Sequence, residues 1–161
     1  MSYVQTNFLI YVSKHSSLTQ LRKEHDYMLI PAIGFQGNCD DAINFYKKVL
    51  GAEVKMVNYF CDDPQGSGMD ESTPPNFVLY SEISIFGVTF MMTDGAKKPL
   101  ESDSFWLQLS FNTPEEVTSV FNKLAEGGTI VEALSSELYG YLMGSVTDRF
   151  GVPWNISIYF D

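Results

Sequence analysis

A carboxylate inside an apolar strand is the first feature of this sequence that points to chemistry. Glu82 lies in LYSEISI, residues 79–85, where burial would raise its pKa and suit it to general-base work. The bland reading of such a residue is an acid on the solvent face, or one paired with a basic side chain. Asp148 opens the segment DRFG, 148–151. A short acid there is best used to hold a turn through hydrogen bonds to backbone N–H groups. The segment CDDPQGSGMDES, 61–72, carries spaced carboxylates. It lacks the ligand spacing and closing glutamate of an EF-hand, and reads as a flap beside a site.

Thiol and imidazole chemistry have little to work with. Cys39 and Cys61 are too few and too far apart for a disulfide framework or a zinc site. Both read as reduced thiols, with Cys39 at a helix start where the dipole would lower its pKa. The two histidines, His15 and His25, fall within the first 27 residues.

The chain has 161 residues, enough for one compact domain or two fused half-domains. Hydrophobic residues at 45% exclude a disordered chain. A net charge of −10 repels phosphate backbones, which excludes nucleic acid as the expected partner. No run approaches the roughly 20 apolar residues of a membrane span. The early patch NFLIYV lacks the basic flank and cleavage site of a signal peptide, so the expected location is cytoplasmic and no membrane partner is expected.

These groups must be positioned by elements that the pattern makes plain. Residues 1–27 read as an N-terminal extension, flexible or a start-site artefact ahead of Met28, with an extra edge strand from NFLIYV as the alternative. Residues 28–161 form the domain, with one module over about 28–95 and a second over about 102–161. In the first, LIPAIGF (29–35) reads as a strand. NCDDAINFYKKVLG reads as a helix capped by Asn38 or Asp40 and closed by Gly51. EVKMVNYF, FVLYSEISI and VTFMMTD follow as strands, the last two joined at Phe86–Gly87. The second module repeats the order: strand SFWLQLSF (104–111), then a helix with Thr113 as N-cap, Pro114 at N1 and Glu116 at N3. TIVEALS, GYLMGSVTD and VPWNISIYF are its later strands. Tyr46 matches Phe121 and Val49 matches Leu124 at a constant offset of 75 residues, so the chain is an internal repeat. The fold class is α+β, with two tandem β-α-β-β-β modules.

IPAIGFQGNCDDAINFYKKVLGAEV together with DRFGVPWNIS resembles the PhnB-like subfamily of the vicinal oxygen chelate superfamily, which is the glyoxalase/bleomycin-resistance/dioxygenase fold. The likeness runs from about Met28 to Tyr159. It implies that the modules curl a mixed sheet into a partial barrel around a central cup, and that the protein is a homodimer. Catalytic members hold a divalent metal in the cup with about four His or Glu side chains, as a Lewis acid. Carried over by strand alignment, those positions fall on Pro31, among Phe90, Met91 and Met92, on Trp106 and on Asn155. None is His or an acid, so no metal and no cofactor are expected there. The demethylubiquinone methyltransferase activity named for PhnB-like sequences finds no Gly-rich loop after a strand here to hold a nucleotide-like methyl donor.

Strand alternation assigns the cup lining. Trp106, Gln108 and Ser110 share one face of their strand, and Asn155 and Ser157 share one face of the last. Ala32 and Gly34 are small, which suits close helix packing and turns Pro31, Ile33 and Phe35 inward. Tyr139 and Tyr141 flank Gly140 at the mouth. The expected ligand-binding residues are therefore Ile33, Phe35, Trp106, Gln108, Tyr139, Tyr141 and Asn155, around a small apolar or aromatic ligand. Two alternatives stand beside this one. The first is a metal-dependent or Glu82-assisted enzyme of the same superfamily (lyase, isomerase or dioxygenase type). The second is an interaction scaffold whose cup is filled by core.

Overall fold

The structure, a computed structural model, describes residues 29–62, 69–70, 72–137 and 140–159. The proposed extension 1–27, its two histidines, Tyr139 and part of the acidic loop lie outside the described residues. The first module contains β1 (Ala32–Phe35), α1 (Cys39–Leu50), β2 (Glu53–Tyr59), a 3-10 turn (Phe60–Asp62), β3 (Val78–Ile85) and β4 (Val88–Asp94). The second contains β5 (Leu107–Phe111), α2 (Pro114–Ala125), β6 (Thr129–Ser135), β7 (Met143–Thr147) and β8 (Pro153–Ile158). Each module is one four-stranded mixed sheet, ordered β1-β4-β3-β2 and β5-β8-β7-β6. Within each, the first strand pairs parallel to the last and the other pairs are antiparallel. Among the described residues no helix is long and apolar enough to cross a membrane.

The helices form where apolar residues recur at helical spacing, and they bury that stripe. Ala42, Ile43, Tyr46 and Leu50 of α1 are buried, as are Val117, Phe121 and Leu124 of α2. They meet the inward residues of the sheets, such as Ile83, Met92, Val146 and Ile156, in one continuous core. Burial of each such side chain contributes about 1.5–3 kcal/mol. The first helix stops where expected, Gly51 adopting φ 67° and its N–H donating to the Tyr46 carbonyl as a left-handed C-cap does, whereas α2 is followed by Glu126 in extended backbone (φ −61°, ψ 108°). The β3–β4 hairpin turns at Phe86 (φ 48°) and Gly87 (φ 84°), the positive φ pair that a two-residue turn requires.

The two helix starts are built differently. Thr113 forms the expected capping box, its hydroxyl accepting from Glu116 N–H while the Glu116 carboxylate accepts from Thr113 N–H at 3.2 Å. Thr113→Ala is expected to lower stability by about 1 kcal/mol, checked as a shift of the urea midpoint with an unchanged slope. At α1, Asn38 makes no side-chain cap. The buried carboxylate of Asp94, at the end of β4, takes that place and accepts from Gly37 N–H (2.8 Å), Cys39 N–H (3.0 Å) and Val78 N–H (2.9 Å). A residue 55 positions away in sequence does what local pattern assigned to Asn38 or Asp40.

Three strands, β1, β5 and β7, each begin three residues later than their sequences suggested. Ser102 Oγ accepts from the N–H groups of Ser104 and Phe105, and this turn holds the chain off the sheet until Leu107. Before β1, the Pro31 carbonyl still accepts from Met91 N–H, at 2.9 Å, but the proline has no N–H to extend the ladder.

The modules are clasped by the DRFG turn. Asp148 is 3% exposed. One of its oxygens accepts from Phe150 N–H (2.9 Å) and Val152 N–H (3.0 Å), the turn-holding role expected of it. The other accepts from the Tyr46 hydroxyl of α1 (2.7 Å) and the Trp154 indole N–H of β8 (2.8 Å). Burial and the Asp148 charge together push the Tyr46 hydroxyl well above the usual phenol range. Phe150 packs edge-on against Phe35, Phe45 and Tyr46 of the first module. The Arg149 guanidinium stands 4.8 Å over the Phe45 ring.

Candidate functional site

Each sheet has one face against its helix and one face free of helix. Register identifies the residues on the free faces, because partners directly across a ladder share a face. On the first sheet the central row is Ala32, Met91, Glu82 and Met56. On the second it is Gln108, Asn155, Ser145 and Glu132. The two rows occupy equivalent places in their modules.

The second row brings predicted residues together. Gln108 donates to Ser157 Oγ at 3.0 Å, and the hydroxyls of Ser110 and Ser157 lie 3.2 Å apart. Asn155 Oδ1 is buried with no hydrogen-bond partner among the described residues, a costly condition for an amide oxygen unless something donates to it. Trp106 immediately precedes β5 and is 54% exposed. Tyr141 is half-buried ahead of β7.

Ile33 and Phe35 do not belong to this site. They are 6% and 3% exposed and sit in the helix-side core, Phe35 against the Phe150 ring. The small residues Ala32 and Gly34 face away from the helix instead. A Cβ on Gly34 would lie 3.2 Å from Ala96 Cβ, so its size accommodates the 95–96 turn, not α1. The error is one residue of register, which moves a strand's whole apolar set to the opposite face. Phe35 and Gly34 also border a shallow cleft of about 210 Å³ between the modules, with Pro99, Leu100 and Phe150. That cleft includes none of Trp106, Gln108 and Asn155.

The places carried over for a metal can now be tested by their chemistry. Phe90 and Met92 are buried on the helix side, and only Met91 of that trio reaches the free face. Pro31, Met91, Trp106 and Asn155 offer one good oxygen donor between them, where a divalent ion takes three or four. Among the described residues no group of three or more His, Cys, Asp or Glu side chains could hold a metal ion. These residues do not fit the superfamily's ion.

Two groups on the free faces were not assigned to a site by sequence, although their strands were. Glu132, across from Ser145, accepts from its hydroxyl at 3.4 Å. Tyr80 donates to Glu82 Oε1 at 2.5 Å, an i, i+2 contact that strand alternation alone permits. Cys39, by contrast, is no reactive thiol. Burial and the neighbouring Asp94 and Asp40 charges raise its pKa, overriding the helix-start effect expected from sequence.

Two β-α-β-β-β modules, each one mixed four-stranded sheet with one helix, define a protein of the glyoxalase/bleomycin-resistance fold. FosX, the fosfomycin resistance protein of Listeria monocytogenes, shares that fold with a TM-score of 0.57 at 11% identity, over 85% of this chain and 96% of that one. The PhnB protein of Bacillus cereus superposes with a TM-score of 0.71 at 23% identity, over 83% of this chain and 100% of that one. The family model for 3-demethylubiquinone-9 3-methyltransferase matches residues 27–157, and the chain belongs to this PhnB-like family. It is also 34% identical over 140 residues to Protein YjdN of Escherichia coli (strain K12), covering 81% of this chain and 94% of that protein.

Proposed function

We propose that this chain is a metal-free small-molecule-binding protein that works as a homodimer, with the helix-free sheet faces forming the walls of its ligand site. The observation that carries the reading is the second sheet's free face. There the buried Asn155 oxygen, across from Gln108, lacks a donor among the described residues, and a half-exposed Trp106 lies just ahead of the strand that carries Gln108. An aromatic surface beside a few fixed polar groups is the usual make-up of a small-molecule site. A ligand N–H or O–H would satisfy Asn155 while its apolar part covers Trp106. The homodimer is supported by apolar side chains left open at the sheets, such as Ile130 at 54% and Val131 at 63% exposure. Native mass spectrometry of protein prepared without chelator tests both parts at once, through the mass of the assembly and of anything it carries.

A further inference from the structure

The first sheet's free face carries a charge that no cationic side chain among the described residues balances. Glu82 is partly buried at the centre of its row, between Met91 on β4 and Met56 on β2. An ionised carboxylate offers about four acceptor positions. The Tyr80 hydroxyl fills one, and among the described residues no ion pair is made to Glu82. The nearest cationic residue on this sheet is Lys55, and its ammonium is bound to the Thr89 hydroxyl at 2.7 Å. The flanking thioethers are weak acceptors that cannot neutralise a carboxylate, and Ala32 at the row's end leaves the surface low. A part-buried charge held in place by one short hydrogen bond, walled by polarizable apolar groups and lacking a counter-ion among the described residues, suits an external cation.

We infer that this face takes a ligand bearing a cationic nitrogen, a primary ammonium or an amidinium, with Glu82 as its charge partner. Tyr80 orients the carboxylate, and Met56 and Met91 cover the adjoining apolar part of the ligand. The inference rests on the binding reading above and narrows its ligand class. An anionic ligand on this face would meet Glu82, and among the described residues the sheet's one cationic side chain, Lys55, is engaged by Thr89.

The test uses three indoles that share a ring and differ in head charge: tryptamine, indole-3-ethanol and indole-3-propionate. Each is titrated calorimetrically into the full chain at pH 7 and low salt. Tryptamine is expected to bind at least tenfold more tightly than indole-3-ethanol, with indole-3-propionate weakest. Glu82→Gln should erase the tryptamine advantage and leave indole-3-ethanol within about twofold. Glu115→Gln removes the same unit of charge from the exposed start of α2 and should leave the preference intact, which separates a local partner from the chain's overall negative field. Tyr80→Phe should reduce the advantage without abolishing it. Equal binding of the three indoles by the wild type would overturn the ammonium assignment and leave the binding reading standing. A preference that survives Glu82→Gln would likewise overturn the role of Glu82. Failure of all three to bind the folded protein would overturn both.

Discussion

Asp148→Ala should lower the unfolding free energy by about 3–5 kcal/mol, a large loss for one surface-to-core turn. The side chain accepts four hydrogen bonds, two from its own turn and one each from Tyr46 and Trp154. Removing it strands the Tyr46 hydroxyl and the Trp154 indole N–H in a site where both residues are essentially buried. Unmade bonds of that kind cost about 1–3 kcal/mol each, less whatever water recovers. Asp148→Asn keeps the shape but turns an NH₂ toward donors, so an intermediate loss is expected. Asp70→Ala, at an exposed loop position, should change little. Urea unfolding checks all three. A loss under about 1 kcal/mol for Asp148→Ala would mean that the modules are held by the Phe150 ring cluster alone.

Trp106→Ala is the second large effect, and it concerns binding. Trp106 is 54% exposed and lies outside β5, so its loss should cost no more than about 0.5 kcal/mol of stability. As an aromatic surface at the ligand it should be worth about tenfold to a hundredfold in affinity. Calorimetric titration of indole-3-ethanol, paired with urea unfolding, separates the two quantities. Unchanged affinity in the folded variant would remove Trp106 from the site.

What the sequence displayed and what it concealed divide along physical lines. The helices were legible because their apolar stripe and capping residues are local, and the repeat offset between Tyr46 and Phe121 fixed the module architecture. Strand faces were less secure. Gln108, Ser110 and Asn155 stood on the expected side because polar and apolar residues alternate cleanly there. On β1 the same test failed, because Ala32, Ile33, Gly34 and Phe35 are all apolar and size was a false guide. The equivalence of Ala32 with Gln108, seen in the parallel registers, lies one residue beyond the helix offset. The helix-capping role of Asp94 and the Tyr46 contact of Asp148 were hidden for another reason. Their partners are 55 and 102 residues away, and no local pattern encodes such a contact. The lesson extends to the DRFG turn itself: its aspartate and phenylalanine serve the joint between modules, while the residue that faces the proposed site is Asn155.

The proposed homodimer binds small molecules without the superfamily's metal. Native mass spectrometry of tag-free protein, purified without chelator, tests it most directly. The account predicts a dimer mass with no stoichiometric divalent ion, bare or carrying an organic adduct. A dimer with one divalent ion per subunit would contradict it, and would mean that Met91, Trp106 and Asn155 are not where the ligands of this chain are found.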